Sequence, residues 1–162
     1  MKRFEKVIHH TMKWEGGYVN DRFDPGGETK FGISKRSYPR LNIKDLTEYQ
    51  AVEIYRRDFW KPYHDEINSF QIASRLFDLS VNMGHKNPNK LLQRAVNDIG
   101  GDIVDDGVIG PNTISAINNS DENQLYSAFY ARAKNRYERL SKRNGGRFLK
   151  GWMRRLNDPI TE

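Results

Sequence analysis

The stretch EGGYVNDRFDPGGETKFGI, residues 15–33, interrupts an otherwise helical pattern and therefore decides the fold. Its glycines, Pro25 and the interleaved Asn and Asp residues are typical of turns and loops. Within it, the segments 18–19 and 30–33 are predicted to form short strands of a small sheet. Irregular, polar and glycine-rich backbone between helices is also where functional sites often lie.

Helical patterns lie on both sides of this stretch. Before it, apolar residues recur at helical spacing, which predicts an amphipathic helix over residues 2–15 that ends at Gly16-Gly17. After it, capping residues and helix breakers predict seven further helices. The first three run from Ser34 to near Pro39, from Thr47 to Phe59 before Pro62, and over 72–83, where Gly84 ends the helix. The other four run from after Pro88 to Gly100-Gly101, from Pro111 onward, from a cap at Asp121 to a break at 144–146, and over 148–156. Together these patterns predict a mainly α (α+β) fold, a helical bundle with a small β-hairpin or sheet near the N-terminus, and Gly100-Gly101 is the best candidate for a lobe boundary.

Composition narrows the class of protein. The 162 residues suit one domain, and with 36% hydrophobic residues the chain can form a packed core. The net charge of +6 favours an anionic partner such as nucleic acid, an acidic lipid surface or a cell wall. The sequence has no cysteine, which excludes disulfides, thiolate zinc sites and cysteine nucleophiles. Its four histidines are scattered without metal-ligand spacing, so we expect no metal and no cofactor.

Glu15 is the candidate general acid. It falls at the predicted C-terminal end of the first helix, where the helix dipole disfavours a negative charge, and Trp14 and Tyr18 add apolar bulk nearby. Both effects favour a protonated carboxyl group, which a glycosidase needs in order to protonate the leaving oxygen. Asp24, in a polar turn, would stay ionised, and Thr29 could orient a water. On these residues alone, a set of turns that follows a solvated helix end is the favoured interpretation.

A family resemblance favours the catalytic interpretation. The segments EGGYVN (15–20), DPGGET (24–29) and FGI (31–33) resemble the N-terminal signature of glycoside hydrolase family 108, which contains N-acetylmuramidases, many of them phage endolysins. The resemblance implies that Glu15 is the catalytic glutamate. The spacing of Glu15, Asp24 and Thr29 is also similar to the triad of phage-type lysozymes, where the gap between Asp and Thr is one residue longer. Asp21 and Glu28 remain alternative second carboxylates.

The second half of the chain extends the resemblance. The segments DLSVNMG (78–84) and DGVIGPNT (106–113) are similar to the predicted peptidoglycan-binding region that accompanies this family. Asp78 and Asn82, one helical turn apart, could line a saccharide cleft or could anchor neighbouring loops. Tyr18 and Tyr55 could offer stacking faces to a sugar. We expect the region to be structural, completing the core, rather than a separate binding surface.

These observations predict a single lysozyme-like catalytic domain over 1–162, with a catalytic part at 1–75 and a helical lobe at 76–162. The expected activity is hydrolysis of the β-1,4 bond between N-acetylmuramic acid and N-acetylglucosamine in peptidoglycan, by a bacteriolytic, antimicrobial lysozyme. The alternatives are a non-catalytic peptidoglycan-binding module and a basic nucleic-acid binder that uses the Lys and Arg cluster at 132–155. We expect peptidoglycan as the partner, no specific nucleic acid, and a monomer.

The basic start of the chain lacks the apolar run of a signal peptide, and no stretch is long and apolar enough to be a transmembrane segment. Cytoplasmic synthesis is therefore expected. Action on the wall, in the periplasm or outside, would follow release through a membrane lesion, a route that the family implies.

Overall fold

Helices dominate the structure, a computed structural model that describes residues 2–22 and 27–162. The chain divides into two units, Met1–Trp60 and Lys61–Glu162. The first unit contains helix α1 (Arg3–Trp14), strands β1 (Val19–Asn20), β2 (Glu28–Lys30) and β3 (Ile33–Ser34), and helix α2 (Glu48–Asp58). The second contains helices α3 (Pro62–Glu66), α4 (Phe70–Met83), α5 (Lys86–Asp98), α6 (Pro111–Asn118), α7 (Glu122–Arg143) and α8 (Leu149–Asn157).

Helix α1 forms where the apolar spacing predicts it. Its buried side chains lie three or four positions apart, so they make one stripe along the helix: Phe4, Val7, Ile8 and Thr11. The Phe4 ring packs edge-on against Trp60 at 5.5 Å between centroids, and the Arg56 guanidinium lies 4.4 Å above the Phe4 ring. These contacts fix the amphipathic helix within the first unit.

Helix α2 begins at the predicted cap. The Thr47 hydroxyl oxygen accepts a hydrogen bond from the Gln50 backbone N–H at 3.2 Å, and the Gln50 side chain accepts one from the Thr47 N–H at 2.9 Å. This reciprocal pair is a capping box, which satisfies two donors that the first turn of a helix leaves without partners. Helix α2 therefore starts at a defined residue, which in turn fixes where its later side chains point.

The small sheet is antiparallel in the order β1-β2-β3. Val19 pairs with Thr29 across the first two strands, and Thr29 pairs with Ser34 across the last two. Ser34 was expected to cap a short helix, and this expectation is wrong. Ser34 ends β3, and its Oγ accepts a hydrogen bond from the Ser37 N–H at 3.1 Å in a turn. A serine supports either structure because the same hydroxyl contact closes both.

The second unit is built around an apolar core. Helices α4, α5 and α7 supply most of it, and the N-terminal caps at Ser69 and Asp121 accept hydrogen bonds from backbone N–H groups in the first turns of α4 and α7. Gly84, Pro111 and Asp121 bound their helices as predicted. Across the described residues, no helix combines the length and the apolar character that crossing a membrane requires.

Two further expectations for the second unit are corrected. Helix α5 starts at Lys86, before Pro88 rather than after it, because the first N–H groups of a helix need no partner within it and a proline there costs no bond. Gly100-Gly101 is not a boundary between units, since the division falls between Trp60 and Lys61. The glycine pair instead ends α5, where the Gly101 N–H donates to the Val96 carbonyl at 3.0 Å.

Candidate active site

Glu15 is the residue at which α1 ends. Its backbone N–H still donates to the Thr11 carbonyl at 3.1 Å, but its own dihedral angles, φ −87° and ψ 120°, are extended. Glu15 comes four residues after Thr11, the last buried residue of α1, and so continues the buried stripe by one step. The half-buried carboxyl group therefore lies on the same side of α1 as the buried stripe. The sequence predicts that Glu15 ends the helix, but it does not predict the side on which the carboxyl group lies.

A tight turn between β2 and β3 lies against this carboxyl group. Lys30 pairs with Ile33, which leaves Phe31 and Gly32 as a two-residue hairpin loop. Both have positive φ, 52° for Phe31 and 76° for Gly32, as a type I′ turn requires. Phe31 is the only non-glycine residue with positive φ among those described, so the hairpin tip holds a conformation that its surroundings must stabilise.

Two hydrogen bonds provide that stabilisation. The Phe31 N–H donates to the Gly16 carbonyl at 2.9 Å, and the Tyr55 hydroxyl donates to the Phe31 carbonyl at 2.7 Å. The first bond ties the hairpin to the backbone just after Glu15, and the second ties it to α2. Three segments of the first unit therefore meet at the Phe31 backbone.

Gly32 is where the Glu15 carboxyl group meets this turn. A β-carbon built on Gly32 would lie 2.5 Å from Oε2 of Glu15 and would also collide with the Tyr55 hydroxyl oxygen. The carboxyl oxygen and the phenol oxygen thus occupy the space that any other residue at position 32 would fill. The sequence contains a signal for this arrangement, a glycine at the second position of a two-residue hairpin, but not the identity of the groups that crowd it.

Gly32→Ala tests this packing. We expect it to lower the free energy of unfolding for two reasons, the positive φ and the clash with Glu15 and Tyr55. Gly146→Ala is the matched control, because Gly146 also has a positive φ, 77°, but no atom would lie within 4 Å of a β-carbon built there. The control should cost about 1–2 kcal/mol through strain alone, and Gly32→Ala about 1–3 kcal/mol more. Urea unfolding followed by circular dichroism measures both, and equal losses would contradict the packing described for Gly32.

Tyr55 does not have the role that was expected of it. Its side chain is 1% exposed, so the ring offers no open face on which a sugar could stack. It instead supports the hairpin through its hydroxyl group. Tyr18, by contrast, is 38% exposed, and its hydroxyl donates to Oε2 of Glu28 at 2.8 Å. That hydrogen bond to a carboxylate is the main cause of the raised pKa of Tyr18.

Three residues are candidates for the second carboxylate, and the structure describes two of them. Asp24 lies outside the described residues. Glu28 lies in β2, half-buried, with one oxygen engaged by Tyr18. Asp21 is exposed just after β1. The choice among these three therefore stays a prediction.

Thr29, the candidate water ligand, lies in the middle of β2. Because successive side chains of a strand point to opposite faces, Thr29 shares a face with Val19 and Ser34, while Glu28 points to the other face. Thr29 and Glu28 therefore cannot both take part in a site that lies on one face of the sheet.

Asp78 and Asn82 lie in the second unit, on α4. Asp78 is buried, and both its carboxylate oxygens accept hydrogen bonds from Arg155 of α8, at 3.0 and 2.9 Å. Arg75 lies 3.7 Å from the same carboxylate and donates to the carbonyl oxygens of Arg155 and Asp158. Asp78 thus anchors helices rather than lining an open saccharide cleft. Asn82 is exposed near the end of α4.

Among residues 2–22 and 27–162, no group of three or more His, Asp or Glu side chains is arranged to hold a metal ion. The chemistry available at the hairpin is that of a carboxyl group placed beside a backbone turn and a phenol. Such a group can donate or accept a proton at a bound substrate.

Both parts of the chain match known family models. Residues 8–84 match the family model for glycosyl hydrolase 108, and residues 87–157 match the model for a predicted peptidoglycan domain. Among solved structures, the chain is similar to SagA of Brucella abortus, with a TM-score of 0.76 and 28% sequence identity over 94% of this chain and 88% of that one. No curated protein matches the chain. The matches confirm the family resemblance and the mainly α, lysozyme-like fold.

Proposed function

Since residues 8–84 belong to the glycosyl hydrolase 108 family and residues 87–157 to the predicted peptidoglycan domain, we propose that this glycoside hydrolase of peptidoglycan is an N-acetylmuramidase. It would hydrolyse the β-1,4 bond between N-acetylmuramic acid and N-acetylglucosamine, as a lysozyme does. The observation that carries the proposal is the position of Glu15, a carboxyl group at a helix end, packed against Gly32 of the hairpin turn. We further propose that residues 1–162 act as one catalytic chain.

Glu15 acts as the general acid. It transfers its proton to the glycosidic oxygen as the bond from that oxygen to C1 of the muramic acid breaks, so N-acetylglucosamine leaves with a neutral hydroxyl group. Positive charge develops on the sugar ring and is stabilised by the second carboxylate, for which Asp24 is the first candidate. Water supplies the hydroxyl group to C1, and Thr29 holds that water. The remaining proton of the water restores one of the carboxyl groups.

The second carboxylate decides the stereochemistry. A separation of about 6.5–9.5 Å from Glu15 would leave room for water and invert the anomeric carbon, and about 5–5.5 Å would allow a covalent intermediate and retention. The hairpin contributes to either course by holding Glu15 still, since small displacements of a catalytic group cost large factors in rate.

The bond specificity is tested by the product. Purified cell-wall sacculi are digested with the full chain, the new reducing ends are reduced with borohydride, and the reduced sugars are identified by mass spectrometry. We expect reduced muramic acid, because the proposed cleavage frees C1 of that sugar. Reduced glucosamine would indicate a glucosaminidase, and an anhydro-muramic product would indicate a lytic transglycosylase that uses no water. Sedimentation with sacculi without any cleavage would favour the non-catalytic binding module.

The cell wall is the place of action, and we propose a role as a phage endolysin that reaches it from the host cytoplasm. This role has the family resemblance as its support. Expression in a bacterial host with and without a co-expressed membrane-permeabilising protein tests it, because lysis should then require the second protein.

A further inference from the structure

A second concave surface lies in the first unit, at the start of α2. This groove of about 700 Å³ is formed by residues 41–57 and is called the Tyr49 groove. Its lining consists of Leu41, Asn42, Asp45, Leu46, Tyr49, Gln50, Glu53, Ile54 and Arg57. None of these residues belongs to the hairpin contacts that join Glu15, Gly32 and Tyr55.

Helix geometry separates the groove from the Glu15 site. Tyr49, Glu53 and Arg57 follow one another at intervals of four, so they form one stripe along α2. Tyr55 comes two residues after Glu53, which places it about 200° further round the helix axis. Since the Tyr55 hydroxyl faces the hairpin and Glu15, the Tyr49 groove lies on the other side of α2.

The groove has an apolar floor and an aromatic rim. Leu46 and Ile54 are buried beneath it, whereas the Tyr49 side chain is 75% exposed. A tyrosine combines a flat apolar ring with a polar tip, and it commonly serves as a platform at surfaces that are partly wet. The C–H face of a pyranose can stack on such a ring, and an acetamido methyl group fits an apolar floor of this kind.

The polar side chains around the floor are held in place by one another. The Asn42 amide donates to Asp45 at 2.8 Å. Arg57 donates twice to Asp58, both bonds at 2.7 Å, and the Tyr38 hydroxyl donates to Asp58 at 2.7 Å. Burial and the bond to Asp58 raise the pKa of Tyr38 to about 12, so the phenol keeps its proton and this hydrogen bond into the alkaline range. Few, well-placed polar groups around an apolar floor are typical of ligand pockets.

The charges of the groove select among occupants. The lining carries two carboxylates, Asp45 and Glu53, and one guanidinium, Arg57, so the groove does not attract a polyanion such as nucleic acid. The Arg57 guanidinium is paired with Asp58, and Glu53 lies 3.4 Å from Arg56. Carboxylate acceptors suit the amide N–H and the hydroxyl groups of an N-acetylated sugar, and a guanidinium suits its carbonyl oxygen. The size also lies within the range of about 300–1,000 Å³ that ligand sites occupy.

We propose that the Tyr49 groove is a second saccharide site, which binds the N-acetylated glycan strand of peptidoglycan away from the bond that is cleaved. Tyr49 stacks on a sugar ring, Leu46 and Ile54 receive the acetamido methyl group, and Asp45, Glu53 and Arg57 accept or donate hydrogen bonds to the amide. The site would keep the enzyme on an insoluble wall between cleavage events. The choice of ligand rests on the proposed function, because peptidoglycan supplies such strands.

Binding to a defined probe tests the groove. The full chain carrying Glu15→Gln, which should not cut the probe, is titrated with chitotriose while backbone amide signals are followed by NMR. We expect signals of residues 42–57 to shift, and we expect Tyr49→Ala in the same background to weaken binding to chitotriose and to sedimented sacculi at least fivefold. Tyr49→Phe keeps the ring and should change binding less than twofold. Unchanged binding by Tyr49→Ala, or shifts that leave residues 42–57 unaffected, would overturn the proposal.

Measurements of cleavage distinguish the Tyr49 groove from the proposed catalytic site. In the wild-type background, Tyr49→Ala should cleave insoluble sacculi at least fivefold more slowly and soluble glycan fragments at an unchanged rate. Equal slowing on both substrates would assign Tyr49 to the cleavage site and overturn the separate groove. If the wild type cleaves neither substrate, the muramidase proposal fails, and the binding titration still decides the groove by itself. The midpoint of thermal unfolding of Tyr49→Ala should equal that of the wild type, which would show that the slower cleavage does not come from unfolded protein.

Discussion

Replacing Glu15 with glutamine is expected to reduce the rate of peptidoglycan cleavage by a factor of about 10²–10⁴, the usual contribution of a general acid. Glutamine has nearly the same shape as glutamate, so the packing against Gly32 and Tyr55 should survive. It cannot transfer a proton to the glycosidic oxygen, so the leaving sugar would depart as an unprotonated alkoxide. The measurement is the release of muramic acid reducing ends from purified sacculi, at saturating substrate.

Glu48→Gln is the matched control for this prediction. Glu48 is an exposed glutamate in the first turn of α2, and the same substitution there should leave the rate of cleavage within twofold. Both variants should sediment with sacculi as the wild type does, since each substitution keeps the size and shape of the side chain. Cleavage by Glu15→Gln at the wild-type rate would remove Glu15 from the mechanism, whatever the other candidates do.

Replacing Asp78 with asparagine is expected to lower the free energy of unfolding by a large amount. Asp78 is buried between the guanidinium groups of Arg75 and Arg155, which are also buried. An amide leaves two buried positive charges without a counter-charge, and breaking a buried pair in this way costs about 3–5 kcal/mol. That is a large part of the roughly 5–15 kcal/mol by which folded domains are stable. The midpoint of thermal unfolding should fall by roughly 10 °C, followed by circular dichroism.

Asp98→Asn supplies the comparison for Asp78. Asp98 makes a two-bond pair with Arg132, at 2.7 and 2.6 Å, that resembles the one between Asp78 and Arg155, but it lies at the surface. An exposed ion pair contributes about 1 kcal/mol or less, because water screens the charges. If both substitutions destabilise the protein equally, burial is not what makes the Asp78 pair important. The double variant Asp78→Leu with Arg155→Met should regain part of the loss, since it removes two charges together.

Local chemistry explains the parts of the fold that the sequence predicts well. Thr47, Gly84, Pro111 and Asp121 each mark a helix end through contacts with residues no more than four positions away. A capping hydroxyl, a glycine with positive φ and a proline at the first helical position act regardless of what the rest of the chain does. The apolar stripe of α1 is similarly local, and it also places Glu15 correctly at the end of the helix.

Contacts between distant residues explain the parts that were not predicted. Tyr55 bonds to a carbonyl 24 positions away, and Asp78 to a guanidinium 77 positions away. A tyrosine or an aspartate has the same chemistry whether it faces a substrate or satisfies a buried partner, so sequence spacing cannot distinguish the two. Arg155 illustrates the same point, because within the basic run at 132–155 it resembles a solvated charge.

The hairpin turn imposes a condition of handedness on position 32. Gly32 has a backbone conformation that L residues avoid and also lacks the side chain that would strike Glu15 and Tyr55. These are separate demands, because the first concerns the backbone dihedral angles and the second concerns the space beside the α-carbon. Glycine, having no chirality, satisfies both. The packing of the Glu15 carboxyl group beside the turn thus requires, at position 32, the one amino acid that is achiral.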